Sequence, residues 1–204
     1  MSNFPNTERK LQNRVVSYRA ALKKEKATFG CINDGGGRRY MLFYLYFVMD
    51  DLKKSRAYFR WYKKEFPNDV GEPTQKLCHA FSLHRMKKEA EAKHSLAELM
   101  LSNLYIIPHL LGHKLQEHDM WHASSYDSMD YIEYIPEEVI GSITLEEIQW
   151  MKTLYGSFEF RRMQERYIEI YHKLQTAKGV EQRTTLLNES YALLTDTDCE
   201  NNND

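Results

Sequence analysis

The stretch RRYMLFYLYFVMDDLKKSRAYFRWYKKEFP, residues 38–67, decides the fold class of this chain. Its first part, Arg38 to Met49, is an apolar run rich in tyrosine and phenylalanine that ends at Asp50-Asp51. Far shorter than the roughly 20 apolar residues of a bilayer span, it reads as a buried helix. The second part, Leu52 to Phe66, is amphipathic at helical spacing and stops at Pro67, which cannot donate the next helical hydrogen bond. Together they predict a helical hairpin. The following segment has the same plan, with a helix from about Thr74 to His84, a break around Arg85-Met86, and a helix from about Lys87 to Leu101. At an offset of 35, Leu42 falls on Leu77, Tyr46 on Phe81, Ser55 on Ala90 and Phe59 on His94. The chain therefore contains an internal repeat.

A period of about 34 residues with two helices per unit is the signature of tetratricopeptide (TPR) arrays, in which each hairpin leaves an apolar face that only the next one covers. On these residues the sequence resembles that family. The first unit matches its pattern at Leu42, Tyr46, Phe59 and Pro67, the second at Leu77, Phe81, Ala90 and Ala97. Phe43 and Tyr62 stand where the family has small residues, and Arg85 and Ser102 replace its turn glycine and final proline, so the repeats are TPR-like. Next, Asn103-Leu-Tyr-Ile-Ile-Pro108-His-Leu-Leu-Gly112 resembles the Asn-Pro-x-Val-Pro-x-x-Leu-Leu-Gly element that follows such repeats in the suppressor-of-tumorigenicity family and in bacterial TPR-like proteins. Here its proline sits one place later and Leu104 replaces the first proline. In those relatives an acidic, aromatic segment and another helix follow, as Ser125 to Trp150 does here.

This resemblance, over roughly the middle half of the chain, implies an all-α right-handed superhelix of hairpins that serves as a protein-interaction module. It implies no catalytic residues. The family's groove positions map onto Tyr40, Met41, Tyr44, Phe47 and Val48 in the first hairpin, and Gln75, Lys76, His79 and Ser82 in the second. An aromatic wall beside a polar one suits capture of a peptide. In the alternative, a protein of two or three hairpins fills its own groove with the long amino-terminal helix, and Tyr44 and Phe47 are core.

Outside the repeats, Leu11, Val15, Tyr18 and Leu22 give a helix over 7–29 with Asn6 or Thr7 as cap. Asn33-Asp-Gly-Gly-Gly37 is a turn without the glycine spacing that cradles phosphate. Residues 113–143 are an irregular acidic and aromatic segment, with a short helix starting near Ser128. Thr144 and Glu147 form a capping box for the first of the helices over 144–194, and 196–204 is a flexible polar tail. The sum is a single domain over 1–195 with about seven or eight helices.

Composition agrees. Of 204 residues, 42% are hydrophobic and 13% aromatic, enough for a core, while nine glycines and five prolines are too few to punctuate many strands. Cys31, Cys78 and Cys199 are an odd, scattered set without a C-x-x-C pair, and no secretory leader pattern opens the chain, so a cytoplasmic, reducing setting is expected. The net charge of −1 hides a split. Residues 1–100 carry 20 Lys and Arg against 11 Asp and Glu, while residues 101–204 carry 8 against 18. Such polarity suits halves that face each other, a head-to-tail homo-oligomer, or an anionic partner.

Chemistry finds little purchase. His109, His113, His118 and His122 are the one cluster of ligand-type side chains, and the weak alternative they offer is a metal-dependent enzyme. No recognised ligand spacing is met, however, and His109 and His113 straddle Gly112 just after Pro108. No G-x-S-x-G elbow or cofactor motif occurs, so no cofactor is expected. Lys53, Arg56, Arg60, Lys63 and Lys64 share one helix face, with Tyr58, Phe59 and Trp61 between them. Such a stripe serves a nucleic-acid-associated protein as phosphate contacts. A sequence pI of 6.7 and the outward direction of this face in a TPR hairpin favour a solvated surface instead.

Overall fold

A computed structural model describes residues 4–199, and the side chains of residues 4–195. Among the described residues all regular structure is helical and no strand forms. Among the described residues eight helices have eleven residues or more, and the remaining ones have at most six, too short to leave a periodic signal. The chain divides into two compact units, Met1–Lys88 with Ile135–Ile143, and Glu89–Tyr134 with Thr144–Asp204. The division falls between the two helices of the second predicted hairpin.

In the first unit, α1 (Glu8–Phe29) starts where the Thr7 hydroxyl accepts the Lys10 N–H. It ends at Gly30 in the left-handed conformation and buries Leu11, Val15 and Leu22. Next, α2 (Arg38–Val48) is buried over six consecutive residues, Leu42 to Phe47. A helix apolar all round needs a neighbour on every side. These neighbours are α1, α3 (Leu52–Glu65), α4 (Pro73–Arg85) and a short helix from far along the chain, α7 (Glu137–Ile140). Phe43 is the hub: its ring stacks on Phe59 at 5.0 Å, meets Tyr58 edge-on at 5.2 Å and reaches His79 of α4 at 5.7 Å. Leu42, Leu45 and Leu77 are fully buried, each contributing about 1.5–3 kcal/mol by transfer from water.

The helix ends repeat more faithfully than the sequence alignment suggests. After α2 the Asp50 N–H bonds the Phe47 carbonyl and the Asp51 N–H bonds that of Tyr46, with Asp50 at φ 51°. After α4 the Lys87 N–H bonds the His84 carbonyl and the Lys88 N–H bonds that of Leu83, with Lys87 at φ 58°. This is one Schellman-type stop used twice, and it brings Met49-Asp50 onto Met86-Lys87. Since α4 has 13 residues against 11 for α2, the offset grows from 35 to 37 across the second repeat. The structure thereby corrects the alignment of the second helices. Ser55 is buried but Ala90 is exposed, whereas Ala92, Ser95, Leu96 and Leu99 supply the buried face of α5 (Glu89–Ser102).

Arg85 secures the distant strand of chain to the first unit. Its guanidinium lies 4.3 Å over the Phe47 ring and donates to the carbonyls of Phe47 (3.3 Å) and Ser142 (2.7 Å) and to the Asp50 carboxylate (2.9 Å). The end of the segment read as irregular thus packs with residues 1–88.

In the second unit, α5 runs into Asn103, which is buried and uses both ends of its amide. Its Oδ1 accepts from the Tyr105 and Ile106 N–H groups at the start of α6 (Ile106–Leu110), and its Nδ2 donates to the carbonyls of Tyr126 and Ser128. Two 3-10 turns follow, at Ser125–Asp127 and Met129–Tyr134. The Thr144–Glu147 capping box opens α8 (Leu145–Tyr155). The core stripe lies on α9 (Phe158–Thr176), where Phe160, Met163, Tyr167, Ile170, Tyr171 and Leu174 are buried, and α10 (Val180–Cys199) packs along it. The helix thus takes in the first residues of the predicted tail; residues 200–204 and the side chain of Cys199 lie outside the described residues.

Candidate functional site

The predicted groove residues fall into separate settings. Tyr44, Phe47, Gln75 and Ser82 are buried, while Met41, Val48 and Lys76 are half-buried. Phe47 lies between Arg85 and Phe81, in the core of the first unit. His79 sits edge-on to Phe59 at 4.5 Å. Tyr40 belongs to a polar network at the start of α2: its hydroxyl donates to Asp69 Oδ1 at 2.7 Å and accepts from Arg39 Nη2. Burial opposes the charge on both Arg39 and Asp69. Their mutual hydrogen bond and that from Tyr40 outweigh it, raising Arg39 and holding Asp69 below the usual carboxylate range. Burial and the neighbouring Asp69 push the Tyr40 hydroxyl up.

The glycine-rich turn closes on itself. The N–H groups of Asn33 and Asp34 donate to Glu25, and the buried Asp34 carboxylate accepts from the first amides of α2, Arg38 N at 3.0 Å and Arg39 N at 2.7 Å. The amides of Asn33, Asp34, Arg38 and Arg39, which an anion would need here, are thus taken by side-chain carboxylates.

The four histidines do not converge. His109 is exposed on α6, and His113 lies 6.5 Å from the ring of Tyr155. His118 stacks on Tyr105 at 5.5 Å, and His122 Nδ1 sits 3.4 Å from Asp127 Oδ1. Among the described residues, no three His, Cys, Asp or Glu side chains come together as a metal site. Burial, then the proximity of His122, pushes His118 below its ordinary value. Cys78 is fully buried, and burial pushes its thiol well up, away from the reactive thiolate.

Among the described residues, the first unit presents two surfaces that bear on binding. One is the α3 stripe: Lys53, Arg56, Arg60, Lys63 and Lys64 are all exposed and form no ion pair or hydrogen bond among the described residues. The other is a cleft of about 480 Å³ between α1 and α3, which the sequence reading missed. Buried Leu22 and Tyr58 and half-buried Trp61 form its floor; the Trp61 ring stacks on Tyr58 at 5.4 Å and is steadied by Phe66 edge-on at 5.8 Å. Ala20 and Ala27 leave it room. Around the rim stand Arg19, held by the Tyr46 hydroxyl, Lys23, and the Lys26–Glu65 ion pair that ties α1 to α3. The signal in the sequence was two small residues a heptad apart, Ala20 and Ala27, with Lys23 between them on the same helix.

Charge divides with the units. The first carries 19 Lys and Arg against 10 Asp and Glu, the second 9 against 19. Among the described residues no helix is long and apolar enough to cross a membrane. No known protein family, characterised protein or solved structure matches this chain.

Proposed function

We propose that the protein is a non-enzymatic interaction module built of TPR-like hairpins, which binds protein partners in a reducing, cytoplasmic setting. One observation carries this reading: the same Schellman-type stop ends α2 and α4, and α2 lies between its hairpin partner α3 and the next repeat's α4. Hairpins that need a neighbour to cover their apolar faces, and whose remaining surface carries charge and an open aromatic cleft, are suited to docking rather than to chemistry. Likeness to the suppressor-of-tumorigenicity family at Asn103–Gly112 fits the same reading. The opposite charges of the two units favour association between copies as a further use, the first unit of one meeting the second unit of another. The exposed α3 stripe favours a second reading, nucleic-acid association through phosphate contacts.

Cross-linking in cells followed by mass spectrometry tests the proposal. The expected result is a reproducible protein partner cross-linked to lysines of the first unit, and cross-links lost when Lys53, Arg56 and Arg60 are changed to Glu. Recovery of nucleic acid alone, with affinity falling steeply as salt rises, would establish the second reading. Sedimentation at low and high salt tests self-association, which predicts dimers or larger species that dissolve as salt screens the charges.

A further inference from the structure

Resting on the interaction-module reading, we infer that the α1–α3 cleft is the docking site for an acidic amphipathic segment of a partner protein, an apolar anchor flanked by carboxylates. The cleft has the two qualities such a segment reads. Its floor of Leu22, Tyr58 and Trp61 is apolar, preformed and fixed by ring contacts, so little ordering is needed to fill it. Its volume falls in the ordinary range for ligand sites and accepts a large apolar side chain.

Around that floor the charge is positive and uncompensated. Lys26 is matched by Glu65, but among the described residues Lys23 forms no ion pair and Arg19 is bound only to a neutral hydroxyl. The five exposed cations of α3 stand on the side of that helix turned away from the cleft and do not line it. The whole unit carries nine more basic than acidic side chains. Carboxylates entering beside an apolar anchor would therefore meet Arg19 and Lys23 along the α1 rim. A nucleic acid would satisfy the α3 stripe through its phosphates, but that stripe does not line the cleft, so one strand would not engage both by phosphate contacts alone. A neutral peptide would fill the floor and leave the rim unanswered. Only an acidic segment with an apolar anchor answers both, in the helix-in-groove manner in which anchors recur at i, i+3 or i+4.

The test is selection from a display library of random peptides of roughly 20 residues, about 30 Å if helical, on the immobilised full chain. Expected is enrichment of sequences carrying a Leu, Phe or Trp within one helical turn of Asp or Glu. Their affinity should fall at least about 30-fold with Trp61→Ala, as at interface hot spots. It should fall about tenfold with Lys23→Glu, and decline with added salt. Because Trp61 also packs on Tyr58, a second pair of variants guards against a folding defect. Ala20→Phe and Ala27→Phe change exposed positions of α1, fill the cleft, and should abolish binding with helicity intact. Enriched peptides that are basic or uncharged overturn the inference. So does binding that survives both the Trp61 and the Ala27 variants, although this leaves a peptide-binding module with its site elsewhere. No enrichment at all overturns the inference, while the module reading stands or falls with the cross-linking. An oligodeoxythymidine of about 20 nucleotides that binds the full chain and is lost with Trp61→Ala makes the cleft a stacking site for bases and overturns it too.

Discussion

Replacing Arg85 by Met keeps the side chain's length and apolar stem while removing the fork that joins α2, the turn at Asp50 and residues 135–143. Four contacts are lost. The Ser142 carbonyl at 2.7 Å loses the donor that ties it to α4, and a charged donor to a neutral acceptor is worth about 1.5–3 kcal/mol. The Phe47 carbonyl at 3.3 Å keeps a bond from the Asp50 N–H, so its share is small. Asp50 has a side chain 68% exposed, which limits that ion pair to about 0–1 kcal/mol. Loss of the cation over the Phe47 ring adds about 0.5–1 kcal/mol. Arg85→Met should therefore destabilise the first unit by about 2–5 kcal/mol, read as a lower urea midpoint at unchanged slope. Hydrogen exchange gives the sharper readout. The amides of Gly141, Ser142 and Ile143, bonded back to Glu137, Val139 and Ile140, should lose protection while those of α9 keep theirs. A midpoint shift worth less than about 0.5 kcal/mol, with protection of residues 141–143 unchanged, would refute the role given to Arg85.

Three further outcomes follow from the packing and the charges. Ala92→Leu, at a fully buried position of α5, should cost about 1–3 kcal/mol by overpacking, whereas Ala90→Leu on the exposed side should stay within about 0.5 kcal/mol; urea unfolding of the pair tests the 37-residue offset. Asp69 is held below its unfolded value of about 3.9, so its contribution is present above that pH and lost as pH falls through the lower folded value; Asp69→Asn should flatten the decline of the urea midpoint over that range. His118 is likewise held below about 6.5, so the native state favours the neutral ring and stability falls as pH drops from about 7 through the folded value; His118→Gln should remove that step, followed by NMR titration of the ring.

Much of the helical plan was legible because its signals are local. Thr7 and Thr144 are caps whose partners lie three residues on, and the stripe from Phe160 to Leu174 has the period of a buried helix face. The second hairpin's register was not legible from apolar matching, because α4 gained two residues and the shift showed only in the paired Met49-Asp50 and Met86-Lys87 stops. Residues 135–143 carry no periodic pattern, and their place beside α2 depends on Arg85 reaching Ser142 across 57 positions of chain. The groove positions Tyr44 and Phe47 have the residue types of a peptide site and of a core alike; only their burial distinguishes the two. The α1–α3 cleft escaped notice because its floor joins Leu22 to Tyr58 and Trp61 from separate helices, a pairing that no local spacing encodes.

Consecutive hairpins that cover one another require the aromatic face of the first to meet the first helix of the second. Nuclear Overhauser contacts among the rings of Phe43, Phe59 and His79 measure this most directly. With centroids 5.0, 5.7 and 4.5 Å apart, all three pairs should give cross-peaks. A Phe43–Phe59 cross-peak with none from His79 to either ring would mean that the hairpin stands alone, and stacking of the repeats would be contradicted.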